Sequence, residues 1–145
     1  MAEEIDLAGL LRPGDRLAWS AGPVEPTHLL GMLDRQLDRA PLVSALLNVS
    51  FQTALDAARL ASRATVTALG GAVTNRRFQE IGALDVLPIN YSAMPDLVAS
   101  GRWPIDVVLL QLAADGGAFN LSLMVDHVAD RLRESLSPRS TICSQ

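Results

Sequence analysis

Residues 106–112, with the sequence DVVLLQL, decide the fold class of this chain. The run is apolar from Val107 to Leu110 and shows no alternation with polar residues, which is typical of a strand covered on both faces. Strands of this kind belong to parallel sheets that carry helices on their two faces. We therefore expect residues 106–112 to form a buried strand of such a sheet.

Four further short apolar runs are predicted strands, and longer amphipathic segments alternate with them. The predicted strands are 16–20, 42–49, 64–69 and 85–88, and the predicted helices are 27–39, 53–63, 92–99 and 124–136. Thr27 is the expected N-cap of the first of these helices. The alternation predicts an α/β fold with an open, mostly parallel, Rossmann-like sheet and helices on both faces.

The length of the chain, 145 residues, is that of one ordinary domain. We assign residues 1–136 to a single α/β domain, because neither a repeat nor a linker divides them. Residues 137–145 are polar, contain Pro138 and show no periodicity, so we expect them to form a flexible end.

The charged residues exclude several classes of function. All 12 basic residues are arginine, and the absence of lysine rules out Schiff-base chemistry, pyridoxal-phosphate anchoring and a Walker-type phosphate lysine. The net charge of −4 gives no electrostatic basis for binding DNA or RNA. We therefore expect no nucleic-acid partner.

Metal and membrane sites are also not expected. His28 and His127 lie in predicted helices without a second histidine or cysteine at ligand spacing, and Cys143 has no cysteine to pair with. The first ten residues carry acids where a secretory leader has a positive region, and no apolar run approaches the length of a membrane span. These observations predict a cytoplasmic protein.

The loops that follow the predicted strands are the candidate site, because ligands of open α/β sheets bind at the carboxyl ends of the strands. The first loop, 21–26, brings Glu25 to the start of a helix. Glu25 either binds a ligand there or only stabilises the helix terminus, and its turn-like surroundings leave both uses open.

Three later loops carry groups that suit anions or line clefts. Residues 75–78 contain two adjacent arginines, which could hold a phosphate or carboxylate; alternatively, one of them simply snorkels or pairs with Glu80 one helical turn away. Residues 90–95 place polar groups at a helix start, where capping alone is an adequate explanation. The glycine-rich segment 113–119 either lines a cleft or turns the chain.

Taken in order, these segments resemble the N-terminal half of the acetyl-CoA hydrolase/transferase family, which includes 4-hydroxybutyrate and acetate CoA-transferases. The resemblance runs from about residue 11 to about residue 136. It consists of LRPGDRLAWS at 11–20, Glu25-Pro26, Arg76 followed by Gly82 and Pro88, Met94-Pro95 with Asp96-Leu97, and the strand at 106–112. After that strand, Asp115 and Phe119 match the family pattern, whereas its proline pair and closing glycine are missing.

The resemblance implies an N-terminal domain of such an enzyme and assigns its catalytic residue elsewhere. In the family, a second α/β domain carries the glutamate that forms the acyl-glutamyl and glutamyl-CoA intermediates, together with glycine-rich loops that bind CoA. The chain would then form one wall of an acyl-CoA cleft, have no catalytic residue of its own, and be inactive alone. Coenzyme A thioester would be a substrate rather than a permanently bound cofactor, and the partner a C-terminal half or subunit.

The same resemblance suggests which residues face the cleft. They are Gly22, Glu25, Pro26, Arg76, Ser92, Met94 and Asp115. Glu25 would orient the substrate, Arg76 would hold an anionic group or the domain interface, and Asp115 would position its loop opposite the glutamate of the partner. The acyl-CoA and a carboxylate would be the two reactants.

Two other functions remain open at this point. The chain is alternatively a non-catalytic remnant or protein-interaction module that keeps the fold, or a stand-alone domain that binds a small molecule. A domain that normally packs against a partner exposes an apolar patch, so we expect a homo- or hetero-oligomer.

Overall fold

The computed structural model describes residues 5–121 and 142–143. Its strands are β1 (Arg16–Trp19), β2 (Val43–Leu47), β3 (Ala64–Ala68), β4 (Leu84–Val86), β5 (Val107–Leu109), β6 (Ala113–Asp115), β7 (Ala118–Asn120) and β8 (Ile142–Cys143). The main sheet has the order β4-β3-β2-β1-β5-β8, and every pair in it is parallel. The five predicted strands and the α/β class are therefore confirmed.

Helices cover both faces of this sheet. They are α1 (Leu7–Leu10), α2 (Thr27–Gln36), α3 (Ala57–Ala61), α4 (Arg76–Glu80) and α5 (Met94–Ala99). One apolar core joins α1, α2, α3 and α4 to the sheet around Leu17 and Trp19, and the other packs α5 against Ala18 and Val108. Successive residues of β1 enter opposite cores because side chains alternate along a strand.

The start of α2 differs from the prediction. Pro26 occupies the cap position without a side-chain hydrogen bond, and Thr27 is already the first helical residue, so Thr27 is not the cap. The turn is closed by the backbone instead, because the Thr27 N–H donates to the carbonyl of Glu25 at 2.8 Å. The helix then buries Leu29, Leu30 and Leu33 against the sheet.

Helix α3 is shorter than predicted. Its N-cap is Asp56, whose carboxylate accepts the backbone N–H of Arg59 at 2.8 Å. The residues just before it are held in a turn by Gln52, whose side-chain oxygen accepts the Leu55 N–H at 3.0 Å. Because that turn uses the backbone of Leu55, the helix begins at Ala57 and not at residue 53.

Two segments expected to be loops carry regular structure. Residues 76–80 form helix α4, and β6 and β7 form an antiparallel hairpin where the glycine-rich segment was expected. The hairpin turns at Gly116 and Gly117, which have φ angles of 54° and 97°. The segment therefore turns the chain, and its use in lining a cleft stays a prediction.

Some sequence predictions fall outside the described residues. The helix at 124–136 and most of the end segment 137–145 are among these, although residues 142–143 pair with β5. Within residues 5–121, no helix is long and apolar enough to cross a membrane.

Candidate functional site

Buried polar side chains concentrate at the carboxyl edge of the sheet. In the described chain eight polar residues are buried, and six of them lie in the loops that follow β1, β2 and β3: Ser20, Glu25, Asn48, Ser50, Gln52 and Asn75. Burial of polar groups costs free energy unless hydrogen bonds compensate it. A cluster at the edge where open α/β sheets bind ligands is therefore the candidate site.

Glu25 lies in the loop after β1 and is the charged residue at the centre of this cluster. Its side chain is only 4% exposed, and its Oε2 accepts the backbone N–H groups of Phe51 at 2.7 Å and Gln52 at 3.0 Å. Two backbone donors on one oxygen fix the carboxylate in place and stabilise its charge. The other oxygen, Oε1, has no hydrogen-bond partner.

Gly22 allows the loop after β1 to approach the loop after β2. Its N–H donates to the carbonyl of Val49 at 2.8 Å, and its φ of +57° is a conformation that glycine adopts readily. A Cβ at this position would lie 3.3 Å from the Phe51 ring. Gly22 and Glu25 thus attach the first loop to the second at two points.

Gln52 connects Glu25 to Arg77. Its backbone N–H donates to Glu25, and its carbonyl accepts Nη2 of Arg77 at 3.2 Å. Its side chain is 4% exposed and uses Oε1 for Leu55, while Nε2 has no partner. Gln52 therefore holds a carboxylate on one side and a guanidinium on the other.

Arg77, in α4, is half-buried and sits 5.4 Å from the centroid of the Phe78 ring. Burial lowers the pKa of Arg77, and the carboxylates of Asp56, Glu25 and Asp34 act in the opposite direction. Its Nε is buried without a partner. Within the described residues, no direct ion pair joins Arg77 to Glu25.

The loop after β3 is fastened to the loop after β2 by two further side chains. Asn75 donates from Nδ2 to the carbonyl of Asn48 at 2.7 Å, and Thr74 donates from its hydroxyl to the carbonyl of Ser50, also at 2.7 Å. Asn75 Oδ1 and the Ser50 hydroxyl, both buried, have no partner. All five buried side-chain atoms left without a partner in the described chain thus belong to these three loops or to Arg77.

The same loops expose apolar side chains at the surface. Phe51 is 57% exposed, Val73 49% and Val49 43%. Val73 also has a φ of +56°, a conformation that is strained for a β-branched residue. Strained backbone of this kind concentrates at functional sites.

An open cleft of about 580 Å³ lies beside the buried network. Its lining includes Arg77, Thr53 and Leu55. It also includes three carboxylates, those of Asp34, Asp56 and Glu80. Each of these carboxylates is engaged: Asp34 pairs with Arg59 at 2.6 Å, Asp56 caps α3, and Glu80 pairs with Arg76 at 3.2 Å.

The residues suggested by the resemblance are only partly brought together. Gly22, Glu25 and Pro26 lie in one loop, whereas Arg76 is exposed and pairs with Glu80 one turn away. Ser92 is exposed in the turn before α5, and Met94 is fully buried in the core on the opposite face from α2. Asp115 is the last residue of β6. Of the hydrogen bonds that join the three loops, none involves Arg76, Ser92 or Met94.

Sequence reasoning assigned no role to Gln52 or Asn75, and it offered Arg77 only as one of two adjacent arginines, of which Arg76 was preferred. Asn75 and Arg77 flank Arg76 in the candidate segment 75–78. In the structure, Arg76 is the arginine of the two that pairs with Glu80. Gln52 gave no signal, because a glutamine in a loop is ordinary. Gln52 lies in the middle of the loop 48–56, and only its contacts show that it belongs to the site.

Metal binding has no candidate in the described residues, since no three His, Cys, Asp or Glu side chains lie close enough together to hold an ion. His28 is exposed on α2. The chemistry that the site offers is hydrogen bonding by one carboxylate, one guanidinium and neutral amides and hydroxyls.

Solved structures with a similar fold include RipA, a variant of RipA and a 4-hydroxybutyrate CoA-transferase. RipA from Yersinia pestis superposes with a TM-score of 0.76 and 18% identity, over 94% of this chain and 34% of RipA. A single-residue variant of RipA gives a TM-score of 0.76 and 19% identity, over 92% of this chain and 33% of that one. A 4-hydroxybutyrate CoA-transferase from Porphyromonas gingivalis gives 0.60 and 13%, over 94% and 30%.

These likenesses show the fold alone, which is a CoA-transferase-like fold. The chain spans about a third of the length of each of these proteins. No protein-family model and no curated protein matches it.

Proposed function

We propose that this chain is the N-terminal α/β domain of a CoA-transferase or acyl-CoA hydrolase, where it forms one wall of an acyl-CoA cleft. A second α/β unit supplies the catalytic glutamate. The observation that carries the proposal is the buried carboxylate of Glu25, fixed at the carboxyl edge of the sheet with one oxygen unpaired. The shared fold with a 4-hydroxybutyrate CoA-transferase over about a third of that protein supports it.

Glu25 is suited to orient a substrate rather than to attack it. A carboxylate nucleophile needs donors aimed at the charge that develops on the substrate and a pocket that excludes water. Oε2 of Glu25 is already occupied by two backbone donors, which leaves Oε1 to accept one hydrogen bond. Nucleophilic attack is therefore assigned to the second unit.

The remaining parts of the proposal follow the resemblance. Arg76 holds an anionic group or the interface with the second unit, and Asp115 positions its hairpin opposite the catalytic glutamate. Gly22, Pro26 and Ser92 complete this wall of the cleft, and Met94 supports it from the core beneath α5. The enzyme is cytoplasmic, oligomeric, and uses an acyl-CoA and a carboxylate.

The test is reconstitution with the second unit. The 145-residue chain is purified alone and also co-expressed with the protein encoded next to it, and CoA transfer and acyl-CoA hydrolysis are assayed in both preparations. We expect activity only in the complex, and a loss of activity in the complex that carries Glu25→Gln. Asp85→Asn, which alters an exposed carboxylate on the edge strand β4, is the matched control. Turnover by the isolated chain would contradict the division of roles.

A non-catalytic interaction module is the second candidate, and the exposed apolar side chains favour it. Phe51, Val73 and Val49 present their side chains to solvent on the loops that surround Glu25. An interaction module binds its partner through this surface without any CoA chemistry. In that case Phe51→Ser abolishes complex formation, and the wild-type complex transfers no CoA.

A further inference from the structure

Two opposite charges, those of Glu25 and Arg77, lie on either side of Gln52 without pairing. Glu25 accepts the Gln52 N–H at 3.0 Å, and Arg77 donates to the Gln52 carbonyl at 3.2 Å. A direct bidentate pair would satisfy both side chains. Instead each keeps one buried atom unpaired, Oε1 of Glu25 and Nε of Arg77, and the intervening Gln52 keeps its Nε2 unpaired.

A ligand that pairs with these three atoms has to match their hydrogen-bonding chemistry. An ionised carboxylate oxygen only accepts, whereas the Arg77 Nε–H and the Gln52 Nε2 group only donate. The ligand group must therefore contain a donor for Glu25 and an acceptor for Gln52 and Arg77. A secondary amide, with its N–H and C=O, contains both in one plane.

The charges around the site favour a neutral group over an anion. The charges of Glu25 and Arg77 offset each other, and the cleft beside Arg77 carries the carboxylates of Asp34, Asp56 and Glu80. Asp34 and Glu80 are paired with Arg59 and Arg76, so these walls offer no excess positive charge that would attract a phosphate or a carboxylate. A neutral amide needs no such charge.

The cleft reaches one of the three residues, Arg77, directly. Arg77 lines the cleft and also contacts Gln52, and Thr53, the next residue in the chain, lines it too. The opening of about 580 Å³ is within the range of small-molecule sites. Entry of a ligand therefore requires the Arg77 side chain to move toward the cleft, which no strand residue lines.

We propose that Glu25, Gln52 and Arg77 bind a secondary amide of a pantetheine arm that enters through this cleft. The amide N–H donates to Oε1 of Glu25, and the carbonyl accepts from Nε2 of Gln52 and Nε of Arg77. The choice of pantetheine rests on the proposed function, because pantetheine is the amide-bearing arm of an acyl-CoA. The recognition itself rests on the donors and acceptors of the three side chains.

The binding test uses the full 145-residue chain and two matched probes. Pantetheine, which contains two secondary amides, is compared with cysteamine, which carries the same thiol end and no amide. Binding is measured by calorimetry and by the NMR signals of the Gln52 side-chain amide. We expect pantetheine to bind saturably and shift the Gln52 signals, and cysteamine to do neither. Equal effects of both probes, or no binding of pantetheine, would overturn the site.

Variants identify the groups that bind. Gln52→Glu keeps the oxygen that holds Leu55 but replaces the Nε2 donor by an acceptor, and Arg77→Gln removes the Nε donor. We expect each to weaken pantetheine binding about tenfold or more, as the loss of a buried hydrogen bond predicts. Arg39→Gln, at an exposed arginine that pairs with Asp6, is the control and leaves binding unchanged. Thermal unfolding establishes that each variant is folded, and full-strength binding by the folded Gln52→Glu protein would overturn the assignment.

This result is separable from that of the reconstitution experiment. Pantetheine binding that depends on Gln52 and Arg77 supports the site whether or not the complex transfers CoA. Conversely, a complex that transfers CoA while the chain shows no such binding leaves the proposed function standing and overturns the amide site.

Discussion

Oε2 of Glu25 lies 2.7 Å from the backbone nitrogen of Phe51, 26 positions away along the chain. The contact joins the loop after β1 to the loop after β2. It also fixes the backbone from which the exposed Phe51 ring projects, and this ring lies against Gly22. A buried carboxylate thereby determines the position of an aromatic side chain at the surface.

Removal of this carboxylate is expected to destabilise the domain more than its neutralisation. Glu25→Ala leaves the buried N–H groups of Phe51 and Gln52 without an acceptor, at a cost of about 2–4 kcal/mol in the free energy of unfolding. Glu25→Gln keeps an acceptor oxygen of the same shape and costs about 1 kcal/mol. Urea unfolding followed by circular dichroism measures both, and equal losses would show that the two hydrogen bonds contribute little.

Gly22 is expected to tolerate a side chain less well than Gly14. Both have positive φ angles, +57° and +84°, so Gly→Ala at either position strains the backbone by about 1 kcal/mol. At Gly22 the new Cβ also meets the Phe51 ring at 3.3 Å, whereas at Gly14 nothing lies within 4 Å. Gly22→Ala should therefore lower the melting temperature further than Gly14→Ala. The reverse order would mean that the ring moves aside freely.

Replacement of Val73 by asparagine is expected to stabilise the domain. Valine is strained at a φ of +56°, while asparagine adopts this region readily, so Val73→Asn gains about 0.5–1 kcal/mol. Little burial is lost, since Val73 is half exposed. Val49→Asn, at a comparably exposed valine without a positive φ, is the control and should not stabilise. Chemical denaturation of the two variants compares them directly.

Arg16 and Asp106 fasten β1 to β5 at the end of the sheet opposite to the site. Arg16 donates from Nε at 2.7 Å and from Nη2 at 3.0 Å, and this hydrogen bonding raises the pKa of Arg16. Because its pKa is raised, the Arg16 guanidinium makes its full contribution to the free energy of unfolding at neutral pH and loses it only in strong alkali.

Loss of the two side-chain hydrogen bonds between Arg16 and Asp106 should lower the free energy of unfolding only slightly, because both side chains are partly exposed. We expect Arg16→Lys to lower the free energy of unfolding by about 0.5–1 kcal/mol. Asp106→Asn should cost more, since the amide has one acceptor oxygen, whereas the carboxylate uses two oxygens to hold Nε, Nη2 and the backbone N–H of Arg16. Denaturation between neutral and mildly alkaline pH tests this. A pH-dependent difference between wild type and Arg16→Lys in that range would contradict the assignment.

The sheet could be predicted from sequence because each strand carries its own signal. The apolar run at 107–110 and the amphipathic pattern of α2 depend only on residues near in sequence. The lengths of α3 and of its preceding turn could not be predicted, because they depend on how Gln52 and Asp56 are used. Both residues are compatible with a helix, and only their contacts with Leu55 and Arg59 stop it.

The position of the candidate site in the fold could be predicted from sequence, but not all of the residues that form it. Glu25 followed from its position after a predicted strand. The choice between Arg76 and Arg77 required the direction in which helix α4 faces the sheet, which adjacent residues in a sequence do not reveal. Asn75 and Gln52 join the site only because three loops, separated by about 25 residues each, meet at one edge.

The pairing of β1 with β5 sets the order in which the sheet can be completed. β1 lies at the centre, and its contact with Asp106 spans 90 positions of the chain. Closure of so long a loop is entropically costly, and long-range parallel pairing slows folding. During synthesis, β2, β3 and β4 all emerge before β5, so one side of the central strand stays unpaired until Val107–Leu109 leave the ribosome. Until then, the nascent chain exposes unpaired backbone N–H and C=O groups along β1, the strand that lies at the centre of the finished sheet.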